Sequence, residues 1–391
     1  MQQQIMNESW EVKQIGDIAH HDITSLESVS SDSNYPMVGV YSFGKGLFIK
    51  EPVSGLNTSY KNFYRLKAKH IVMSQLFGWE GAIAVSSEDF EGRYVSSQFP
   101  TFLVDEGLAD TKFVGYYLKQ EHIWKLLFSK GRGMGSRRRT LTPDNLLSLE
   151  IRLPSLRIQK QIVEKLESVR LSLEKIRLLK GEQTKDIKNL LYSKYSEIIE
   201  GADWLPMNEV APIHRRSVKI ELSETYQELG TRSFFKGVFE KESFRGSDLS
   251  WEKPHWMKAG DLVFSNIKAW EGSVALISEK HDGWVASHRY ITCLPKHELI
   301  KPEFLLYFFS TPHGMDILSN ASPGSADRNR TLNTKKLMQA KVPIPALELQ
   351  KEFVDLVHKI EALREHHKQT EKELGELMPS LLDKAFKGEL K

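Results

Sequence analysis

The sequence predicts an α+β protein with internal pseudo-two-fold symmetry, in which two similar mixed α/β domains are joined by two long antiparallel helices forming a coiled-coil-like spacer. Three observations predict it. Trp79-Glu-Gly-Ala-Ile-Ala-Val returns as Trp270-Glu-Gly-Ser-Val-Ala-Leu, 191 positions on, and the offset holds without a gap over most of the chain. Within each copy, short strand-like runs come first and helix-like stretches follow. Each copy then ends in a long stretch whose apolar residues step by three and four. A repeat of this length is too long for a solenoid and describes a duplicated unit of domain plus helix.

The register is dense. Tyr35 pairs with Tyr226, Gly39 with Gly230, Ser42 with Ser233, Lys45-Gly46 with Lys236-Gly237, Ser96 with Ser287 and Phe113 with Phe304. Only at the start does it slip, where Ile15-Gly-Asp-Ile fits Val210-Ala-Pro-Ile at an offset of 195. Trp10 and Trp204 open the two copies. Strands are expected at Met37-Val-Gly-Val, Gly46-Leu-Phe-Ile, His70-Ile-Val-Met, Gly81-Ala-Ile-Ala-Val and from Tyr94 to Val104, all short, rich in β-branched or aromatic residues and bounded by turn formers. From Thr111, and again from Pro302, the spacing becomes helical. A basic polar segment, a short helix beginning near Thr142 or Asn333, and a strand ending at Pro154 or Pro345 complete each domain. Asp144 suits the first turn of its helix.

The long stretches after Ser155 and Ala346 carry Ile158, Ile162, Leu166, Val169, Leu173, Ile176 and Leu179, and then Leu349, Phe353, Val357, Ile360 and Leu363. Helices of about 40 residues make a rod of roughly 60 Å; Gly181, Pro379 and polar seam positions make the repeat imperfect, with fraying or a bend expected near the ends. Each stripe needs a partner to cover it. The duplication favours the other long helix of the same chain over the helix's own domain or a second copy.

The 391 residues suffice for two or more cores, and 40% apolar, 27% charged and 10% aromatic content is that of a soluble globular chain. A single cysteine, Cys293, excludes an internal disulfide framework. No apolar run reaches 18 residues and the N-terminus lacks signal-peptide character, so a cytoplasmic protein is expected. Net charge of +3 leaves any argument for nucleic acid to the placement of charges.

That placement is suggestive. Two similar domains at fixed separation and opposite polarity suit duplex DNA, whose strands are related by a two-fold axis; six to eight unread base pairs would span roughly 20 to 27 Å. Lys130, Arg132, Arg137, Arg138 and Arg139 cluster among glycines, and the second copy places Arg328, Asn329, Arg330 and Lys335 at the corresponding segment. Such a run is either a solvated face or a phosphate and base contact. Arg139 and Arg330, shared by both copies, suit a structural or phosphate role. Arg137, Arg138, Asp327 and Asn329, which differ, suit base reading. Lys45 and Lys236 are further phosphate or groove candidates, Arg232 is a candidate of the second copy, and His288-Arg289 offers polar readout beside Ser287. Trp79 and Trp270 stack on a base or fill a core, the core being the commoner role. Glu80 and Glu271 accept from cytosine N4 or cap a turn.

No catalytic constellation appears: no base-methylation motif, no phosphate-cradling loop ending in Gly-Lys-Ser/Thr and no zinc-binding histidine pair. A non-catalytic protein that binds no metal or cofactor is expected.

Ile151-Arg-Leu-Pro-Ser-Leu-Arg-Ile-Gln-Lys and Val342-Pro-Ile-Pro-Ala-Leu-Glu-Leu-Gln-Lys, each leading into a long helix, resemble the ends of recognition domains in the specificity subunit of type I restriction–modification enzymes. The resemblance covers the whole chain. It falls on Pro154, Gln159 and Ile162 in the first copy and on Pro343, Pro345, Gln350 and Phe353 in the second. It implies target-recognition domains at 1–153 and 199–344 and helical regions at 154–198 and 345–391. It implies a subunit that reads a bipartite duplex target and docks two adenine-N6 methyltransferase subunits using S-adenosylmethionine. Two motor–nuclease subunits using ATP and Mg2+ would join for restriction. Gln159, Ile162, Leu171, Leu178, Gln350, Phe353 and Phe386 are then candidates for the helical spacer and its docking surface. The likeness of the two domains implies half-sites that share bases or polarity, and interfaces left empty in an isolated subunit are able to bring two copies together. Two other readings stay open: a two-domain adaptor that binds protein and not DNA, and an orphan specificity subunit serving methylation alone.

Overall fold

Strand Glu11–Gln14 pairs antiparallel with Glu150–Leu153, and Asp203–Pro206 pairs in the same way with Lys341–Ile344, so each domain is closed by its first and last strands. The computed structural model describes residues 10–133, 139–249, 253–324 and 330–390. The chain forms two units, Met1–Leu179 with Lys368–Lys391, and Lys180–His367.

In the first unit Ile71–Met73 lies between Ile83–Val85 and Thr101–Val104, and Ala19–His21 extends the sheet. In the second, Leu262–Ser265 lies between Val274–Leu276 and Tyr290–Cys293. The five strand segments expected from sequence all contain strands. Those missed, such as Asn62–Arg65 and Leu26–Ser28, are polar or short and are held by register against Tyr94–Ser96 or each other. A hairpin, Val38–Val40 with Leu47–Ile49, recurs as Leu229–Thr231 with Val238–Glu240.

The helical stretch after the strands is two helices in each unit. Thr111–Tyr117 is capped by Asp110, whose carboxylate accepts from the Phe113 amide at 2.9 Å, and Glu121–Lys130 follows. Pro302–Ser310 is separated from Pro312–Asn320 by Thr311, whose hydroxyl accepts from the Gly314 amide at 3.2 Å. Proline at the first turn and a hydroxyl cap dictate this break. Asp144 does lie in the first turn of helix Pro143–Leu147.

The long helices run unbroken from Leu156 to Ile199 and from Leu347 to Phe386, through Gly181 and Pro379. Their ends are anchored. Ile158, Ile162 and Leu166 share the first unit's core with Phe102, Phe113 and Leu127, and Leu382 and Ala385 join it. Leu191, Tyr195, Ile198, Phe353 and Ile360 share the second unit's core with Phe264, Phe304 and Phe308. The apolar stripe is not buried throughout, in keeping with an imperfect repeat. Ile176, Leu179 and Leu363 of the expected stripe are exposed, as are Leu190 and Leu377 further along the two helices, and burial resumes at Leu191. A straight helix drifts about 20° per heptad, so one stripe cannot face the same way from end to end. No described helix is long and apolar enough to cross a membrane.

Candidate nucleic-acid interface

The Trp-Glu-Gly repeat folds as a tight helical turn, Gly78–Glu80 and Ala269–Glu271, closed by a left-handed glycine with φ of 78° at Gly81 and 74° at Gly272. That turn pins the hairpin tip by the same bonds in both units. The Phe43 and Gly44 amides donate to the Glu80 and Gly81 carbonyls at 2.8 and 2.9 Å; the Phe234 and Phe235 amides donate to Glu271 and Gly272, both at 2.8 Å. Ser42 and Ser233 hydroxyls reach the Glu80 and Glu271 carboxylates at 3.4 and 2.9 Å. The glutamates therefore take the turn-holding role of the two foreseen for them. A hydrogen bond from Lys268, joined by Ser233, holds the Glu271 carboxyl below its ordinary value against burial. The pinning forces phenylalanine at the tip into left-handed backbone, φ 62° at both Phe43 and Phe234, at a cost on the order of 1–3 kcal/mol.

Two further loops meet this turn. The Gln75 carbonyl accepts from the Leu141 amide at 2.8 Å, and the Gln75 amide donates to Gln98; Asn266 repeats both bonds with Leu332 and Arg289. Hairpin tip, Trp-Glu-Gly turn, the residues that directly follow the basic segment and the loop after Ser96 or Ser287 thus lie together at one end of each sheet. Lys45, Arg232, Lys236, His288, Arg289 and Lys335 all stand exposed. Arg232 takes the place of Tyr41, each donating its amide across the hairpin, to Gly237 and Gly46. Lys130 is exposed and donates to the Ser148 hydroxyl at 3.1 Å, and Arg132 pairs its backbone with Thr140 to close the basic loop. Arg137, Arg138, Asp327, Arg328 and Asn329 lie outside the described residues.

Arg139 and Arg330 are not free cations. The Arg139 guanidinium lies 4.0 Å from the Phe128 ring centre and donates to the Phe128 carbonyl at 2.8 Å. Arg330 lies 4.6 Å from the Trp270 ring centre and donates to Ser322 and Ser319 carbonyls at 3.0 and 3.1 Å. These contacts brace the ends of the basic loops, a structural role, one of the two open to this shared pair. Trp79 meets Phe128 edge-on at 5.4 Å, and Trp270, half-buried, is flanked by Lys268 and Arg330. Neither indole is fully buried core.

The helical candidates divide. Leu171 and Leu178 are exposed and available to a partner. Gln159, Ile162, Gln350 and Phe353 lie on the long helices, as spacer residues should, and are buried inside their own units. Phe386 packs on Phe113 and Tyr117 at 4.9 and 5.5 Å and belongs to the first unit's core margin.

What sequence reasoning missed are Lys268, which pairs with Glu271 at 2.8 Å, and the buried His255. Burial, then the positive charges of Arg215 and His288, push the His255 imidazole below its ordinary value, and neither ring nitrogen has a partner among the described residues. Among the described residues no three His, Cys, Asp or Glu side chains group to hold a metal.

The family model described as type I restriction modification DNA specificity domain matches residues 7–183 and 241–376. The type I restriction enzyme MjaVIII specificity subunit of Methanocaldococcus jannaschii is 23% identical over 410 residues, covering 96% of this chain and 92% of that protein. The HsdS subunit of Thermoanaerobacter tengcongensis shares the fold with a TM-score of 0.61 at 20% identity. A structure reported for complex assembly and conformational transition of the type I R-M system does so at 0.69 and 17% identity. Each of these two covers 98% of both chains. The matched segments take in well over half of the sequence: the chain belongs to the type I restriction–modification specificity subunits, the non-catalytic, DNA-recognising members of those systems.

Proposed function

We propose that each unit reads one half of a bipartite duplex target, and that the chain docks adenine-N6 methyltransferase subunits beside it. The observation that carries this reading is the recurrence, bond for bond, of one loop platform in both units. Shared residues on that platform, Lys45 and Lys236, suit phosphates. Positions that differ suit bases: Tyr41 against Arg232, Gln98 against Arg289, Ser97 against His288, and Gln75 against Asn266. Phosphate contacts set orientation and differing side chains set the sequence, so two similar domains can read unlike half-sites.

The exposed Leu171 and Leu178, with Ile176 and Leu179 on the same stretch of helix, support docking of a protein partner there. In this reading S-adenosylmethionine belongs to the two methyltransferase subunits, and ATP and Mg2+ to two motor–nuclease subunits where restriction accompanies methylation. The chain contributes position and no chemistry. Recovering the chain from its own cells and mapping adenine methylation of the host DNA tests the proposal. A co-purifying methyltransferase, with marks at one bipartite motif that vanish on deletion of the chain, supports it. Partners that ignore DNA, with methylation unchanged on deletion, would leave a protein adaptor.

A further inference from the structure

Phe43 and Phe234 occupy one place in the repeat and are 62% and 68% exposed, both with φ of 62°. Glycine adopts that conformation without strain, and a ring in water gains nothing from burial. The fold makes little use of an aromatic side chain there, the Phe43 ring meeting only the edge of Trp124 at 6.3 Å, yet both units hold one forward on a pinned backbone. Each has a lysine two residues on, its ammonium 5.9 Å (Lys45) and 5.8 Å (Lys236) from the ring centre. Neither lysine forms an ion pair among the described residues.

We infer that Phe43 and Phe234 are paired wedges for duplex DNA, one at each half-site. Each ring stacks on a base or enters a base step while Lys45 or Lys236 holds the neighbouring phosphate. The inference rests on the DNA-reading proposal above. A ring pinned by backbone bonds beside an unpaired cation is what stacking with phosphate contact requires. An apolar protein groove would ask for a wider greasy surface, whereas Ser42, Gly44 and Gly46 flank the first ring; Ser233 and Gly237 flank the second, and the neighbouring Phe235, half-buried, turns back onto Gly272 and the second unit's core. Because both units carry the same residue, the rings position and deform the duplex and leave sequence choice to the residues that differ.

The test uses the full chain, purified with its methyltransferase, on a duplex carrying the site mapped from host methylation. 2-Aminopurine is placed in turn at each step of either half. Wild type is measured first: failure to bind any duplex would overturn the DNA reading itself. With binding established, Phe43→Ala is expected to weaken affinity about tenfold or more, to leave the salt dependence unchanged, and to abolish the fluorescence rise in one half only. Phe234→Ala does the same in the other half, and Phe43→Trp restores binding. Phe43→Gly separates this from a structural role, since it relieves the backbone and holds or raises Tm while losing affinity. Both alanine variants binding within twofold of wild type, with unchanged fluorescence, would overturn the inference. So would variants that release the methyltransferase and bind DNA normally, which would assign the rings to a protein partner.

Discussion

Gln159 and Gln350 close the same latch one repeat apart. The Gln159 side chain accepts from the Asp110 amide at 2.8 Å and donates to the Pro154 carbonyl at 2.9 Å. Gln350 accepts from the Lys301 amide at 2.8 Å and donates to the Leu299 and Pro345 carbonyls at 3.0 and 2.7 Å. Each thus ties the start of a long helix to the loop that launches the preceding helices. Alanine at either position strands buried backbone groups, at about 1–3 kcal/mol each. Q159A and Q350A are each expected to lower Tm by several degrees, read by differential scanning fluorimetry. Glutamate is no rescue, since it turns a carboxylate oxygen toward the proline carbonyl. A change within one degree would refute the latch.

A buried acid–base pair makes the first unit sensitive to pH. His70 and Asp22 meet at 3.0 Å; Asp261, 191 positions beyond His70, instead grips Arg216 at 2.6 and 3.0 Å. Burial pushes the Asp22 carboxyl up, but Thr24, Lys67 and His70 outweigh it and hold it at about 2, below its ordinary 3.8. That stabilisation is present above pH 3.8 and is lost as pH falls through about 2. Burial pushes the His70 imidazole below its ordinary 6.5, outweighing Asp22. Its contribution is complete above pH 6.5 and is lost as pH falls below that value, because the folded state resists the proton that the unfolded state takes up. Tm is therefore expected to fall between pH 7.5 and 5.5, and His70→Gln to flatten that decline. An unchanged slope in the variant would place the sensitivity elsewhere.

Gly81 and Gly272 tolerate no side chain. A Cβ would lie 2.4 Å from Trp124 at the first and 2.5 Å from Phe235 at the second, and both positions have positive φ. Alanine strains the backbone and displaces a ring, with an expected loss of about 1–3 kcal/mol per site. The loosened hairpin tip should exchange its Phe43 or Phe234 amide faster. Hydrogen exchange in the tip compared with the sheet strands measures this directly, and equal protection in variant and wild type would contradict it.

Salt dependence separates bracing cations from binding ones. Lys45→Ala or Lys236→Ala is expected to reduce the slope of log affinity against log salt by about 1. Arg139→Ala and Arg330→Ala should leave that slope nearly intact while lowering Tm, because their guanidiniums are already held by loop carbonyls and aromatic faces. An arginine variant with the lysine signature would return these residues to the phosphate.

The duplication, the strands and the two long helices were legible because they rest on periodicity and spacing. Which way a side chain faces was less so. Gln159 and Gln350 stand out in sequence as a motif at a helix start, but nothing local says that the amide turns inward to pair backbone. Leu171 and Phe386 look alike as apolar residues on long helices, and only tertiary packing leaves the first in solvent and draws the second onto Phe113. The left-handed phenylalanines were hidden for a different reason. Residue type argues against that conformation, and it is imposed by the turn 37 residues away in sequence, through Phe43 to Glu80 and Phe234 to Glu271.

The first unit takes Leu382 and Ala385 into its core, from the segment 368–391, while the second is complete by His367. On the ribosome this reverses the usual order in which domains finish from the N-terminus onward. The domain translated first must wait, with part of its apolar surface uncovered, until the last helical turns emerge, and its neighbour matures ahead of it. A nonsense codon within 368–391 would accordingly strike the first unit and spare the second.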